Sequence, residues 1–202
     1  ETPAVNQVRR IAVELLIADH PSDCLTCPKN QQCELQKVAA YLGITKQPFP
    51  KTTRLLPVDT SNPFFNLDRN RCILCARCVR ACQEITGVGA IDLAFRGYAS
   101  KVATFGDGLL VNSVCQSCGE CVVHCPVSAL TPKEVRQPTR EVATTCPYCG
   151  VGCQIYLGIR QGQVVTVRGR REGTVNNGHL CVKGRFGITE FIHHPERLAT
   201  PL

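Results

Sequence analysis

Fifteen cysteines in 202 residues, with no Trp and no Met, mark where this chain can do chemistry. Almost all of them fall in C-x2-C or C-x3-C steps. That spacing lets successive sulfurs converge on one metal centre, whereas loop-closing disulfides need no such regularity. An odd count also excludes a fully paired disulfide framework within the chain. The strongest set is Cys72, Cys75, Cys78 and Cys82, repeated as Cys115, Cys118, Cys121 and Cys125 with Pro126 behind it. Three thiolates at such intervals wrap one iron-sulfur cubane, and the fourth ligates the other cubane of the pair. The expected clusters are therefore 4Fe-4S on Cys72, Cys75, Cys78 and Cys125, and 4Fe-4S on Cys115, Cys118, Cys121 and Cys82. Gln83 stands after Cys82 where the pattern usually has Pro, which affects the turn rather than the ligand. Paired zinc ribbons are the alternative, but they use two separated C-x2-C pairs.

Two further sets flank this run. Upstream, His20, Cys24, Cys27 and Cys33 supply one imidazole and three thiolates. Taken alone, that set fits zinc as well as iron-sulfur, and a lone His beside Pro21 is ordinarily a surface residue. Downstream, Cys146, Cys149 and Cys153 are joined by Cys181 after a 27-residue gap. His20 and the fifteen cysteines then make four four-ligand sets with none left over.

These ligands must be positioned by short elements. Val5 to Ala18 has apolar residues at helical spacing, which predicts a helix leading to His20-Pro21. Gln32 to Leu42 predicts a second helix, capped at Gly43. Gly43 to Pro63, with four prolines and no periodicity, reads as an irregular link. Ile91 to Val111, holding Gly97 and Gly106-Asp107-Gly108, predicts a β-hairpin inserted between the two Cys-rich repeats. Pro132 to Glu141 is polar. Ile155–Ile159 and Val164–Val167 predict two strands turning at Arg160-Gln161-Gly162. The fold class expected is α+β, built as small cofactor-organised modules in series: 1–66, 67–136 and 137–202.

An apolar share of 44% with only 5% aromatic residues describes a folded chain not organised by large aromatic side chains. A formal charge of +7 would ordinarily point to a polyanion such as nucleic acid. Four clusters change that account. Each four-thiolate cluster carries a charge near −2 and the His-containing one near −1, about −7 together. The basic excess balances the cofactors, and no nucleic-acid partner is expected. No stretch has the length of a transmembrane helix. Thiolate-bound iron favours a reducing compartment, hence a cytoplasmic location. The chain opens on Glu1-Thr2-Pro3 and ends at Thr200-Pro201-Leu202, and a piece of a longer polypeptide is the expectation.

The segment Cys146-Pro147-Tyr148-Cys149-Gly150-Val151-Gly152-Cys153, with Asn177-Gly178-His179-Leu180-Cys181-Val182-Lys183-Gly184-Arg185, resembles the opening domain of molybdopterin-dependent formate dehydrogenases of the NAD-linked cytoplasmic type. The His20 set is similar to the site of one His and three Cys in those enzymes, in iron-only hydrogenases and in the large iron-sulfur subunit of NADH dehydrogenase. The resemblance implies a molybdenum or tungsten atom on two pterin-guanine-dinucleotide molecules, carried beyond Leu202. It also implies a cofactor-binding role for Lys183, between the Cys146 cluster and a pterin. The family's metal ligand, a selenocysteine or cysteine, lies farther along, as do the His and Arg beside the metal. No catalytic residue is therefore expected within these 202. The implied substrate of the complete subunit is formate or carbon dioxide, and the implied partners are flavin and iron-sulfur subunits of an NAD(P)-linked or hydrogenase-type complex. Two other readings share the ligand sets: an iron-sulfur subunit of an NADH dehydrogenase or iron-only hydrogenase, and a freestanding polyferredoxin-like carrier.

Overall fold

A computed structural model describes residues 2–134, 136–198 and 200. Helix α1 (Pro3–Ala18) starts where the Thr2 hydroxyl accepts the Val5 amide at 3.4 Å and Pro3 supplies a preset φ. Helix α2 (Glu34–Tyr41) begins directly after Cys33. It ends because Gly43 adopts φ +63, which lets the Gly43 and Ile44 amides reach back to the carbonyls of Ala40 and Ala39. Both helices fall where the apolar spacing predicts them. The link that follows has no helix and only one isolated bridge, Asp59 to Leu67.

The middle of the chain carries short strands. β1 (Phe65–Leu67) pairs antiparallel with β4 (Leu130–Pro132), joining the two ends of the Cys-rich repeats. β2 (Asp92–Ala94) and β3 (Lys101–Ala103) form the inserted hairpin, shorter than the sequence predicts because residues 105–112 turn in tight helical loops instead. α3 (Arg77–Arg80) widens into a π turn at Ala81–Ile85 that carries Cys82, and α4 (Glu120–His124) follows the second repeat's loop. Farther on, β5 (Arg140–Thr145), β6 (Gln154–Arg160) and β7 (Gln163–Gly169) form one antiparallel sheet in that order. The β6–β7 turn uses Gln161 at φ 51 and Gly162 at φ 79, the two positive values a two-residue hairpin requires. β5 is not predicted by the sequence: Arg140-Glu141 reads as polar linker, yet β6 supplies the ladder that makes it a strand. α5 (Ile188–Phe191) continues a π turn at Lys183–Gly187.

Contacts divide the chain into two units. The first holds residues up to Val114 with Cys121–Lys133; the second holds Cys115–Glu120 with residues from Glu134 onward. The first unit's core is Phe65, Leu67, Val102, Val127 and Leu130, all almost fully buried. The second unit's core groups Ile155, Val167, Leu180 and Ile188 around Cys146. In both, apolar side chains pack against cysteines of the predicted ligand sets.

Candidate metal centres

In the first unit, Cys72, Cys75, Cys78 and Cys125 open into one hollow whose other walls are Leu67, Ile73, Val102, Pro126, Val127 and Leu130 with Ala76 and Ala129. Burial, then the charges of Cys72, Cys125 and Cys75, pushes the Cys78 thiol up to about 12. Cys72 and Cys125 are likewise raised, burial first. Four sulfurs facing one another in an apolar cup ionise poorly unless a cation sits among them. That donor set suits a cationic iron-sulfur core. Backbone amides are already aimed at the sulfurs: Leu74 donates to Cys72 Sγ at 3.4 Å, and Val127, Ala129 and Leu130 donate to Cys125 Sγ. Leu74 and Ala76 hold left-handed φ of 53 and 58 to make the loop.

His20, Cys24, Cys27 and Cys33 also lie in the first unit, with Cys33 buried, Cys27 partly covered and Cys24 exposed. Burial, then the charges of Arg71 and Lys51, holds His20 below its ordinary pKa, which leaves the neutral, metal-binding imidazole at pH 7. Its Nδ1 is buried with no hydrogen-bond partner among the described residues. A buried ring nitrogen without a partner fits a metal ligand better than a packed core histidine.

Bonds between residues adjacent to the candidate ligands tie this set to the Cys72 set. Arg71, beside Cys72, donates Nη1–H to Asp23 Oδ1 at 3.0 Å, and Asp23 precedes Cys24. Arg77, beside Cys78, pairs with Glu34 at 2.6 Å, and Glu34 follows Cys33. The Glu34 amide donates to the Pro126 carbonyl at 3.0 Å, and Cys27 Sγ lies 2.9 Å from Ser128 Oγ.

In the second unit, Cys153 feels the other three cysteines of its predicted set: burial, then the charges of Cys146, Cys149 and Cys181, raises its thiol. The Cys146 amide donates to the Cys153 carbonyl at 2.8 Å, closing the loop that carries Cys149. Gly184 has no Cβ where one would stand 3.6 Å from Cys146 Sγ. Lys183 is exposed, its Nζ 6.0 Å from the Tyr148 ring centre. In the second repeat's loop the Ser117 amide donates to Cys115 Sγ at 3.4 Å, as Leu74 does in the first, and Gly119 takes φ 76 where the first repeat has Ala76. In the first unit, Cys82 Sγ accepts the Ala90 amide at 3.3 Å.

Residues outside the predicted sets complete the second unit. Glu120 and Arg185 form a buried ion pair; Glu120 Oε1 accepts the Leu180 amide at 3.0 Å, and Oε2 lies 3.1 Å from His179 Nδ1. Arg185 Nε donates to the Cys118 carbonyl at 2.7 Å. The available sequence signal is a Glu lodged inside a C-x2-C step, where a carboxylate beside thiolates demands a cation.

Comparison with known proteins gives three successive family matches. Residues 9–48 match the NADH-ubiquinone oxidoreductase-G iron-sulfur binding region, residues 62–131 the ferredoxin-like domain of NADH-quinone oxidoreductase subunit 3, and residues 139–193 the molybdopterin oxidoreductase Fe4S4 domain. The chain is 36% identical over its whole length to the NADPH-Fe(3+) oxidoreductase subunit alpha of Geobacter sulfurreducens, covering 24% of that protein. It is 35% identical to NADH-quinone oxidoreductase subunit 3 of Thermus thermophilus, over 98% of this chain and 27% of the relative. The solved structure of an NAD+-reducing [NiFe]-hydrogenase in the H2-reduced state aligns with TM-score 0.63 and 33% identity, over 69% of this chain and 60% of that one. The chain thus spans about a quarter of the length of these curated relatives. Together the matches liken the chain to an iron-sulfur region of the NADH-quinone oxidoreductase type followed by a molybdopterin oxidoreductase Fe4S4 domain. They support the NADH dehydrogenase and hydrogenase reading better than formate dehydrogenase. Among the described residues no helix is long and apolar enough to cross a membrane.

Proposed function

We propose that this chain is the electron-conducting portion of an NAD(P)-linked oxidoreductase complex of the NADH dehydrogenase or NAD-reducing hydrogenase kind, working beside flavin and iron-sulfur subunits in the cytoplasm. Four 4Fe-4S clusters, when bound, supply reversible one-electron storage. The residues that hold them are His20, Cys24, Cys27 and Cys33; Cys72, Cys75, Cys78 and Cys125; Cys115, Cys118, Cys121 and Cys82; and Cys146, Cys149, Cys153 and Cys181. Three modules, 1–66, 67–136 and 137–202, follow from these sets, and the three family matches come in the same order, the second of them starting a few residues earlier, at position 62.

The observation that carries the reading is the bonding between two ligand sets in the first unit. Asp23–Arg71, Glu34–Arg77 and Cys27–Ser128 each join a ligand, or its chain neighbour, to a residue next to or shortly after a ligand of the other set. Such bonds fix two redox centres at a constant separation, which electron transfer requires and two independent structural metals do not. Anaerobic reconstitution followed by reduction with NADH through a partner flavoprotein tests the proposal. Four EPR-distinguishable 4Fe-4S signals are expected; a colourless, zinc-loaded protein would refute it.

Formate dehydrogenase is the second reading, favoured by the match of residues 139–193 and by Lys183 two residues after Cys181. On that reading Lys183 contacts a pterin cofactor carrying molybdenum or tungsten in the rest of the subunit. Metal analysis of the complete subunit, with cluster reduction by formate rather than NADH, distinguishes the two.

A further inference from the structure

The turn after Cys125 addresses two ligand sets at once. Its amides, from Val127, Ala129 and Leu130, point at the Cys125 sulfur. Its side chain does something else: Ser128, 2% exposed, places Oγ 2.9 Å from the sulfur of Cys27, a residue 101 positions away. We propose that Ser128 is a positioning residue that sets the reduction potential of the cluster on His20, Cys24, Cys27 and Cys33 by donating its hydroxyl hydrogen to Cys27 Sγ. This rests on the reading of Cys27 as a cluster ligand.

The direction of the bond follows from that role. A ligating cysteine is a thiolate with no hydrogen to give, so the hydroxyl is the donor. An electron added to a cluster spreads onto its sulfurs, and a hydrogen bond to an anionic acceptor strengthens as the acceptor becomes more negative. The bond therefore stabilises the reduced state more than the oxidised one and raises the potential. Burial matters for the size of the effect, because at this position water does not substitute for the lost donor. A further consequence is topological. Ser128 lies three residues after Cys125, so the hydroxyl that tunes the His20 cluster is covalently continuous with a ligand of the Cys72 cluster, and the two centres share one turn as their link.

The test is a pair of EPR-monitored redox titrations on the full chain with all clusters loaded. Ser128→Ala should lower the midpoint of the His20 cluster, a loss of about threefold to tenfold in the preference for reduction, or about 30 to 60 mV for one electron. The Cys72 cluster should keep its midpoint. Ser128→Thr, which retains the hydroxyl, should restore the wild-type value. An unchanged midpoint in the alanine protein overturns the proposal, as does an equal shift of both clusters or a threonine protein that behaves like alanine. Should the alanine protein fail to hold its iron, Ser128→Cys, similar in size and a weaker donor, takes its place: a smaller downward shift is expected, and no shift overturns the proposal. Cys27→Ala separates this from the underlying reading, since retention of the His20 cluster there would show that Cys27 is not a ligand at all.

Discussion

Glu120 and Arg185 meet as an ion pair inside the second unit, the carboxylate 1% and the arginine 7% exposed. Both ions make further bonds: Glu120 takes the Leu180 amide and faces His179, and Arg185 reaches the Cys118 carbonyl. Burying two charges is costly, and these additional bonds offset part of that cost. Removing one leaves the other stranded. Glu120→Ala should therefore destabilise the second unit by about 3 to 5 kcal/mol. Loss of cluster absorbance in urea reads this out, with a midpoint well below that of wild type. Glu120→Gln, which keeps an acceptor for the Leu180 amide, should fall between.

The two C-x2-C-x2-C loops make a matched pair of substitutions. Ala76 and Gly119 occupy the same place, both with positive φ, but a Cβ on Gly119 would stand 2.6 Å from Arg185 Cδ and 2.9 Å from Phe186 Cζ. Gly119→Ala should destabilise by about 1 to 3 kcal/mol or more, from backbone strain and the clash together. Ala76→Gly should be near neutral, since it removes strain while adding freedom to the unfolded chain. Iron retained after dialysis against a chelator would rank the two variants.

Candidate ligands stand out because iron-sulfur chemistry imposes spacing on sequence. Cys72 to Cys78 converge for the same local reason in any protein, and α1 and α2 follow from periodicity just as locally. What spacing does not carry is pairing at a distance. β5 becomes a strand through β6; β1 finds β4 across more than sixty residues; Glu120 finds Arg185 sixty-five residues on. Lys183 stands out as an isolated cation after a ligand, whereas Ser128 is an ordinary buried serine until Cys27 is placed beside it. Choice among oxidoreductases is the least legible of all. The ligand sets are shared across the alternatives, and the residues that would tell them apart are not ligands.

Asp59 supplies a pH dependence. It is 2% exposed, bridges Leu67 by backbone, and its carboxylate accepts the amides of Leu110 at 2.8 Å and Ser61 at 2.9 Å. Burial pushes its pKa up, but the bonds from Ser61 and Leu110 and the nearby Arg69 charge prevail and hold it below the usual aspartate range. A depressed folded pKa means the contribution is fully present above the unfolded value, about pH 4, and is lost as pH falls through the folded one. Hydrogen exchange at the Leu110 amide should accelerate below about pH 4 relative to amides not bonded to Asp59. Asp59→Asn should already show faster exchange at pH 7 and lose that acid-dependent step.

His20 offers the sharpest test of ligation. Its Nδ1 is buried and without a partner among the described residues, and burial with Arg71 and Lys51 keeps the ring neutral. A neutral imidazole in place of a thiolate leaves a cluster one charge less negative, which favours the electron it accepts and raises the potential. His20→Cys should therefore keep the cluster and lower its midpoint by on the order of 100 mV, while the other three stay where they were. Lys51, which donates to the carbonyls of Ile17 and His20 at 2.8 and 2.7 Å, fixes the chain at this residue, so the cysteine variant inherits the same backbone position. His20→Ala removes the ligand without replacement and should lose about four irons per chain. Four unchanged midpoints in the cysteine variant, with iron content at the wild-type level in both, would show that His20 is a buried histidine and that the fourth ligand of this site comes from elsewhere.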